Sequence, residues 1–179
     1  LAPYQLSYPL TAMQKTIAQQ VAVQIMKQDV LLQAVCGAGK TEMVVETISA
    51  ALRRKKRIGF AIARRTVVLE LAERLQTIFT KARVIPVCGG YTAVTDGDLI
   101  ICTTHQLFRY YQAFDILILD EPDAFPFRGN RVLYGIAATA CRGHCLYLTA
   151  TPDARLSARV KNGSLIRYRL DQRPHGHPL

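Results

Sequence analysis

Residues Ala34–Glu42 read AVCGAGKTE, a residue set suited to holding phosphate. Gly37 and Gly39, with Cys36 and Ala38 around them, would let backbone N–H groups converge on an anion without side-chain obstruction. A helix running on from Glu42 and Met43 would turn its positive N-terminal end toward the same anion. Lys40 would reach the β- and γ-phosphates, and the Thr41 hydroxyl would serve Mg²⁺. The pattern is the Walker A form with Ala34 where the strict motif has its first glycine. That position packs beside a strand and does not touch phosphate, so the change is mild. A nucleoside triphosphate with Mg²⁺, ATP in the first instance, is the expected ligand.

A second cluster of chemistry follows the apolar run Ile116–Leu119. Asp120-Glu121-Pro122-Asp123 has the form of a Walker B segment, whose strand is apolar because both faces are buried. Asp120 would hold Mg²⁺ and Glu121, one residue nearer the γ-phosphate, would orient and deprotonate the attacking water. The string LDEP also occurs in ABC-type transport ATPases. Those carry a glycine-rich signature just before this strand, and Thr104–Phe114 contains no glycine. Downstream, Thr149-Ala150-Thr151-Pro152 offers hydroxyls that could couple the Walker B carboxylates to a polymer groove, with Thr149 and Thr151 as the coupling residues.

A third group has no acid–base chemistry. Arg64-Arg65, Gly89-Gly90 and Thr103-Thr104-His105, with Gln106 and Arg109 beyond, combine guanidinium groups, hydroxyls and open backbone N–H groups. These suit phosphate and sugar contacts and carry no base code, as expected for single-stranded DNA tracked along its backbone. Thr103 or Thr104 could equally cap a helix. Gln14 is similarly open: with Thr11 it can form a capping box, or it can hydrogen-bond adenine. The densest basic run, Arg53–Arg57, falls after a helix and before a strand. It is expected at the far end of the sheet, as a solvated helix terminus.

These segments need strands to end beside one another. Apolar runs at Val30–Leu32, Ile58–Ala63, Val84–Val87, Leu99–Cys102, Ile116–Leu119 and Leu146–Leu148 alternate with helical patterns over Thr11–Lys27, the stretch after Lys40, and Arg65–Phe79. That alternation predicts a parallel, doubly wound α/β sheet. Every chemical segment follows the C-terminal end of a predicted strand, the edge where open α/β sheets bind ligands.

The whole chain has 179 residues, half of them hydrophobic, which fits one domain with a sizeable core. Its 23 basic and 13 acidic residues give a net charge of +10, which favours a polyanionic partner, nucleic acid or a lipid surface. No apolar run is long enough for a membrane-crossing helix. Five cysteines without a Cys-x-x-Cys pair argue against a disulfide framework or a structural zinc, and Cys141, His144 and Cys145 are expected to be ordinary residues in a reducing setting. The start, Leu1-Ala2-Pro3, lacks Met and a signal pattern, so a piece of a longer protein is expected.

Taken together, Gln14, GAGKTE, Arg64-Arg65, TTHQL, DEPD and TATP resemble the first motor lobe of superfamily-2, DEAD-box-like helicases. LTAMQ, TTHQLFRYY, LDEPDAFPFRGN and LTATP resemble more narrowly the ComFA competence family, with Asp123-Ala124-Phe125-Pro126-Phe127 the most specific stretch. PriA-type replication-restart helicases are the nearest rival within the class, and a nucleotide-gated protein-docking module without translocation is the rival outside it. The resemblance implies a RecA-like P-loop αβα sandwich over residues 1–170, with 171–179 opening a linker to a second RecA-like lobe. It implies ATP-driven movement of single-stranded DNA during DNA uptake. It implies a cytoplasmic setting, peripheral at the inner face of the membrane, with a ComFC-type partner and the membrane DNA-import channel. The family also carries a four-cysteine zinc module ahead of this lobe, and a second lobe whose arginine completes the γ-phosphate site. Neither pattern occurs within these residues.

Overall fold

The computed structural model describes residues 10–34, 40–121 and 131–170. Seven strands form one sheet in the order β3-β4-β2-β5-β6-β1-β7, and every pairing between them is parallel. They are β1 Val30–Ala34, β2 Ile58–Ile62, β3 Val84–Val87, β4 Leu99–Thr103, β5 Phe114–Asp120, β6 Cys141–Thr149 and β7 Ile166–Leu170. Helices α1 (Ala12–Gln24), α2 (Lys40–Arg53), α3 (Arg65–Ile78), α4 (Arg131–Ala140) and α5 (Ala154–Lys161) connect or precede them, with a 3₁₀ turn at Thr104–Arg109.

Strand periodicity sorts the core into two layers. Ile116 and Ile118 of β5 pack on the face that receives Val21, Met43, Ile48 and Leu75 from α1, α2 and α3. Leu117 and Leu119 pack on the other face with Tyr134 and Ala137 of α4 and Leu156 of α5. Because both faces are covered, β2 and β4 are buried at every residue, as a parallel sheet requires. The result is the αβα sandwich expected from the alternation of elements.

Two differences from the sequence-based expectation lie in β6 and β7. The sixth strand begins at Cys141 and not at Leu146, because a β-bulge lets polar residues enter the ladder. Phe114 pairs with Cys141 and Ile116 with His144, so Arg142 and Gly143 together oppose Asp115. The Asp115 carboxylate accepts from Arg142 Nε at 2.9 Å and Nη2 at 3.2 Å, and from the Arg57 backbone N–H at 2.8 Å. The Arg142 hydrogen bonds hold the Asp115 carboxyl below its usual range. β7 is an edge strand with alternating exposure, paired along the outer side of β1, and was not expected.

Gly143 is required by contact rather than by conformation. A Cβ there would lie 2.0 Å from the Asp115 carbonyl oxygen, which is backbone and cannot rotate away. Gly143→Ala is therefore expected to cost about 2–4 kcal/mol of stability. Urea unfolding checks this; a wild-type midpoint would show that the bulge tolerates a side chain.

The basic run behaves as a solvated helix end. Arg53 and Arg54 donate back onto Ser49 Oγ and the Ala50 carbonyl of their own helix, and Arg57 pairs with Asp96. Among the described residues no helix is long and apolar enough to cross a membrane.

Candidate nucleotide site and nucleic-acid edge

The order of the strands divides the C-terminal edge of the sheet in two. β5, β6 and β1 are neighbours on one side; Asp120-Glu121 and Thr149-Thr151 stand at the ends of the first two, and β1 precedes Lys40-Thr41 in the chain. β3, β4 and β2 are neighbours on the other, and their ends carry Gly89-Gly90, Thr103-Thr104-His105 and Arg64-Arg65.

On the first side, Lys40 at the start of α2 is ion-paired with Glu121. The other Glu121 oxygen, Oε2, accepts from Thr149 Oγ1 at 3.1 Å. Thr149 Oγ1 in turn accepts the Thr151 N–H at 3.0 Å. The Glu121 backbone donates to the Leu148 carbonyl at 2.7 Å, locking the segment after β5 onto β6. Glu121 is left-handed with φ 48°, which non-glycine residues seldom adopt and which costs of order 1–3 kcal/mol. Lys40, Glu121, Thr149 and Thr151 thus form one connected chain.

Thr41 and Asp120 line a single cavity of about 200 Å³ with Phe60, Ile62, Val67, Glu70, Leu71 and Arg74. Burial pushes the Asp120 carboxyl up; the Lys40 charge opposes this and the Glu121 charge reinforces it. A hydroxyl and a carboxylate facing one cavity are hard oxygen donors, the set that Mg²⁺ takes alongside nucleotide phosphates. The residues present fit the ion. Glu42, just after this pair, is ion-paired with Arg74 of α3. Arg74 was not singled out from the sequence; it sits inside an amphipathic helix with nothing to mark it. Cys36, Gly37, Ala38 and Gly39, and the stretch from Pro122 through Phe127, lie outside the described residues.

Gln14 is buried at the start of α1. Its Oε1 accepts the Thr11 N–H at 2.8 Å and its own N–H donates to Thr11 Oγ1 at 3.2 Å, so the capping box forms.

On the second side, Arg65 and the two glycines come together. Arg65 Nε donates to the Gly89 carbonyl at 2.6 Å, and its guanidinium lies 5.5 Å from the Tyr91 ring centroid. Gly90, with φ 85°, turns the chain so that Cys88 and Tyr91 bridge. Arg64 is exposed at the N-cap position of α3 and makes no side-chain capping bond. Thr103 stands at the N-cap of the 3₁₀ turn, also without a side-chain capping bond. Thr103 and Thr104 are each only 8% exposed, whereas His105 faces solvent. Arg109 reaches the Gln106 side chain and the Phe108 ring. No group of three or more His, Cys, Asp and Glu side chains among the described residues is arranged to hold a metal ion.

A family model described as "Type III restriction enzyme, res subunit" matches residues 7–154. The chain belongs to that family. Competence protein ComFA of Bacillus subtilis (strain 168) is 41% identical over 156 residues, covering 86% of this chain and 34% of that protein. Competence protein ComFA of Streptococcus pneumoniae (strain ATCC BAA-255 / R6) is 37% identical over 181 residues, covering 95% and 40%. The helicase domain of Hef from Pyrococcus furiosus shares the fold, with a TM-score of 0.65 at 14% identity over 86% of this chain and 38% of its own. The chain is a RecA-like lobe of the superfamily-2 helicase type, similar to ComFA. It spans 34–40% of the length of the ComFA proteins it matches.

Proposed function

We propose that this ComFA-like lobe is the first half of an ATP-driven motor that moves along single-stranded DNA, serving uptake of transforming DNA in bacterial competence. The carrying observation is the connected chain Lys40–Glu121–Thr149–Thr151 at the junction of β1, β5 and β6. It links the Lys40 ammonium, the Glu121 carboxylate, the Thr149 hydroxyl and the Thr151 backbone N–H through direct contacts. The likeness to ComFA supplies the competence setting. The setting adds a second lobe in cis, a ComFC-type partner, the import channel and a cytoplasmic place at the inner membrane face.

In this reading Lys40 leaves Glu121 when phosphate binds, exchanging one anion for another at little electrostatic cost. Glu121 is thereby released beside the γ-phosphate, where its carboxylate orients water and takes its proton. Thr41 and Asp120 would hold Mg²⁺, which when bound neutralises charge on the phosphates. Gln14 contacts adenine, and Cys36 through Gly39 with Glu42 wrap the nucleotide. Thr149 reports the state of Glu121 to Thr151 and on to the DNA side. There Arg64, Arg65, Gly89, Gly90, Thr103, Thr104 and His105 follow the strand.

The test is ATP turnover by the intact two-lobe protein with no DNA, with single-stranded DNA and with duplex DNA. Stimulation of about tenfold or more by single strands is expected, since DNA must complete the arrangement of both lobes. Turnover indifferent to all nucleic acid would sink the motor reading and favour a nucleotide-gated docking module.

A further inference from the structure

Backbone tracking alone leaves one feature of the DNA edge unexplained. Tyr91 follows the Gly89-Gly90 turn and is 47% exposed, a large aromatic side chain facing solvent. It is also firmly mounted. Its N–H donates to the Cys88 carbonyl at 2.8 Å and its carbonyl accepts the Cys88 N–H at 3.3 Å, closing the turn into a short hairpin at the end of β3. Arg65 adds a second hold, with Nε on the Gly89 carbonyl at 2.6 Å and the guanidinium 5.5 Å from the ring centroid. Gly90 is required by conformation: its φ of 85° disfavours any side chain there, although a Cβ would meet Arg65 Nη2 only at an ordinary contact distance of 3.5 Å.

This arrangement changes what Arg65 does. With Nε on a carbonyl and its guanidinium beside an aromatic ring, Arg65 stiffens and polarises that ring. Arg64, exposed next door, adds a second cation to the same edge. A fixed aromatic ring beside a cation is the combination that receives a nucleobase in single-strand binding proteins. There stacking adds affinity without reading sequence, because every base has a π-face. Pre-mounting the ring removes most of the ordering cost that stacking would otherwise carry.

We infer that Tyr91, held by Arg65 and the Gly89-Gly90 turn, is a stacking platform for an unpaired nucleobase of the bound strand. The inference rests on the single-strand reading above and adds a base contact to an edge otherwise confined to phosphate and sugar. It also explains why a single strand would be preferred: a base paired within a duplex has no free face to offer.

The experiment measures affinity of the intact protein for an oligothymidine strand and for an abasic strand of the same length, at one fixed salt concentration. Wild type is expected to bind the base-bearing strand about tenfold more tightly, the size of one good stacking contact. Tyr91→Ala should bring the base-bearing strand down to the abasic level and leave abasic binding unchanged. Tyr91→Phe should keep the difference, since it keeps the ring. Equal wild-type affinity for both strands would overturn the stacking platform and leave the single-strand reading standing. Weakening of both strands alike by Tyr91→Ala would assign Tyr91 a structural role and overturn the platform too. Binding of neither strand by wild type would overturn the single-strand reading and the platform with it.

Discussion

Glu121→Gln is expected to lower ATP turnover in the intact protein by about 10²–10⁴-fold while leaving nucleotide binding in place. The substitution keeps the side-chain length and the acceptor that Thr149 Oγ1 reaches at 3.1 Å. It removes only the group that can take a proton and the charge that engages Lys40. Releasing Lys40 from that pair makes it more available to phosphate, so nucleotide affinity should be unchanged or somewhat higher. The left-handed backbone at Glu121 argues the same way. Strain of this kind persists where the surroundings fix a side chain in place, and here the neighbours fixing it are Leu148 and Thr149. Single-turnover hydrolysis beside equilibrium binding of a fluorescent nucleotide separates the two effects. Normal hydrolysis by the variant would remove Glu121 from the role of base; loss of binding would show that its charge holds the site together.

That Lys40 meets Glu121, and that Thr41 and Asp120 line one cavity, is in keeping with the sequence for a definite reason. Glycine, lysine, threonine and paired acids at strand ends have few structural uses in common, so AVCGAGKTE and LDEPD point to one chemistry. The strand cores were legible because a parallel sheet buried on both faces reads as an unbroken apolar run, as in Ile116–Leu119 and Leu99–Cys102. What escaped were features set by contact across the sheet. Arg142-Gly143-His144 looks like a polar loop. It enters β6 because Asp115 on the neighbouring strand pairs with Arg142 and because the missing Cβ of Gly143 admits a carbonyl. β7 escaped because an edge strand alternates polar and apolar residues, and its arginines disguise it.

The two Gly-Gly and Arg-Arg segments show a subtler limit. Their types suggested nucleic-acid contact, but not that Arg65 would spend its guanidinium on Gly89 and Tyr91. Sequence gives the inventory of donors at an edge; only packing says which of them are committed to each other. The same holds for Gln14, whose Oε1 is committed to the Thr11 N–H, a pairing that only the packed helix start reveals.

Asp120→Asn should have two opposite effects, and their combination is diagnostic. Burial raises the Asp120 carboxyl above its ordinary value, the Lys40 charge only partly offsetting this. A carboxyl raised in the folded state costs stability when ionised. That cost is absent below the unfolded value of about 3.9 and is fully present once pH has passed the raised folded value. Asparagine replaces a buried charge with a neutral amide, which is cheaper to bury. The variant should therefore melt higher near neutral pH by roughly 2–4 °C, the shift that about 1 kcal/mol gives a domain of this size. The difference should close as pH falls toward the unfolded value. The same change removes a hard anionic ligand from the cavity shared with Thr41, so Mg²⁺-dependent ATP turnover should fall by about 10²-fold or more. Mg²⁺ with a non-hydrolysable ATP analogue should raise the melting temperature of wild type well above that of the variant, because only wild type has a buried charge for the cation to neutralise. Thermal unfolding of the intact protein across pH, with and without Mg²⁺ and analogue, reads the stability effects, and steady-state ATP hydrolysis reads the loss of turnover. A variant that melts lower at neutral pH would show that the ionised Asp120 serves the fold through the nearby Lys40 charge. A variant that melts higher yet gains as much as wild type from Mg²⁺ would move the metal ligand elsewhere in the cavity.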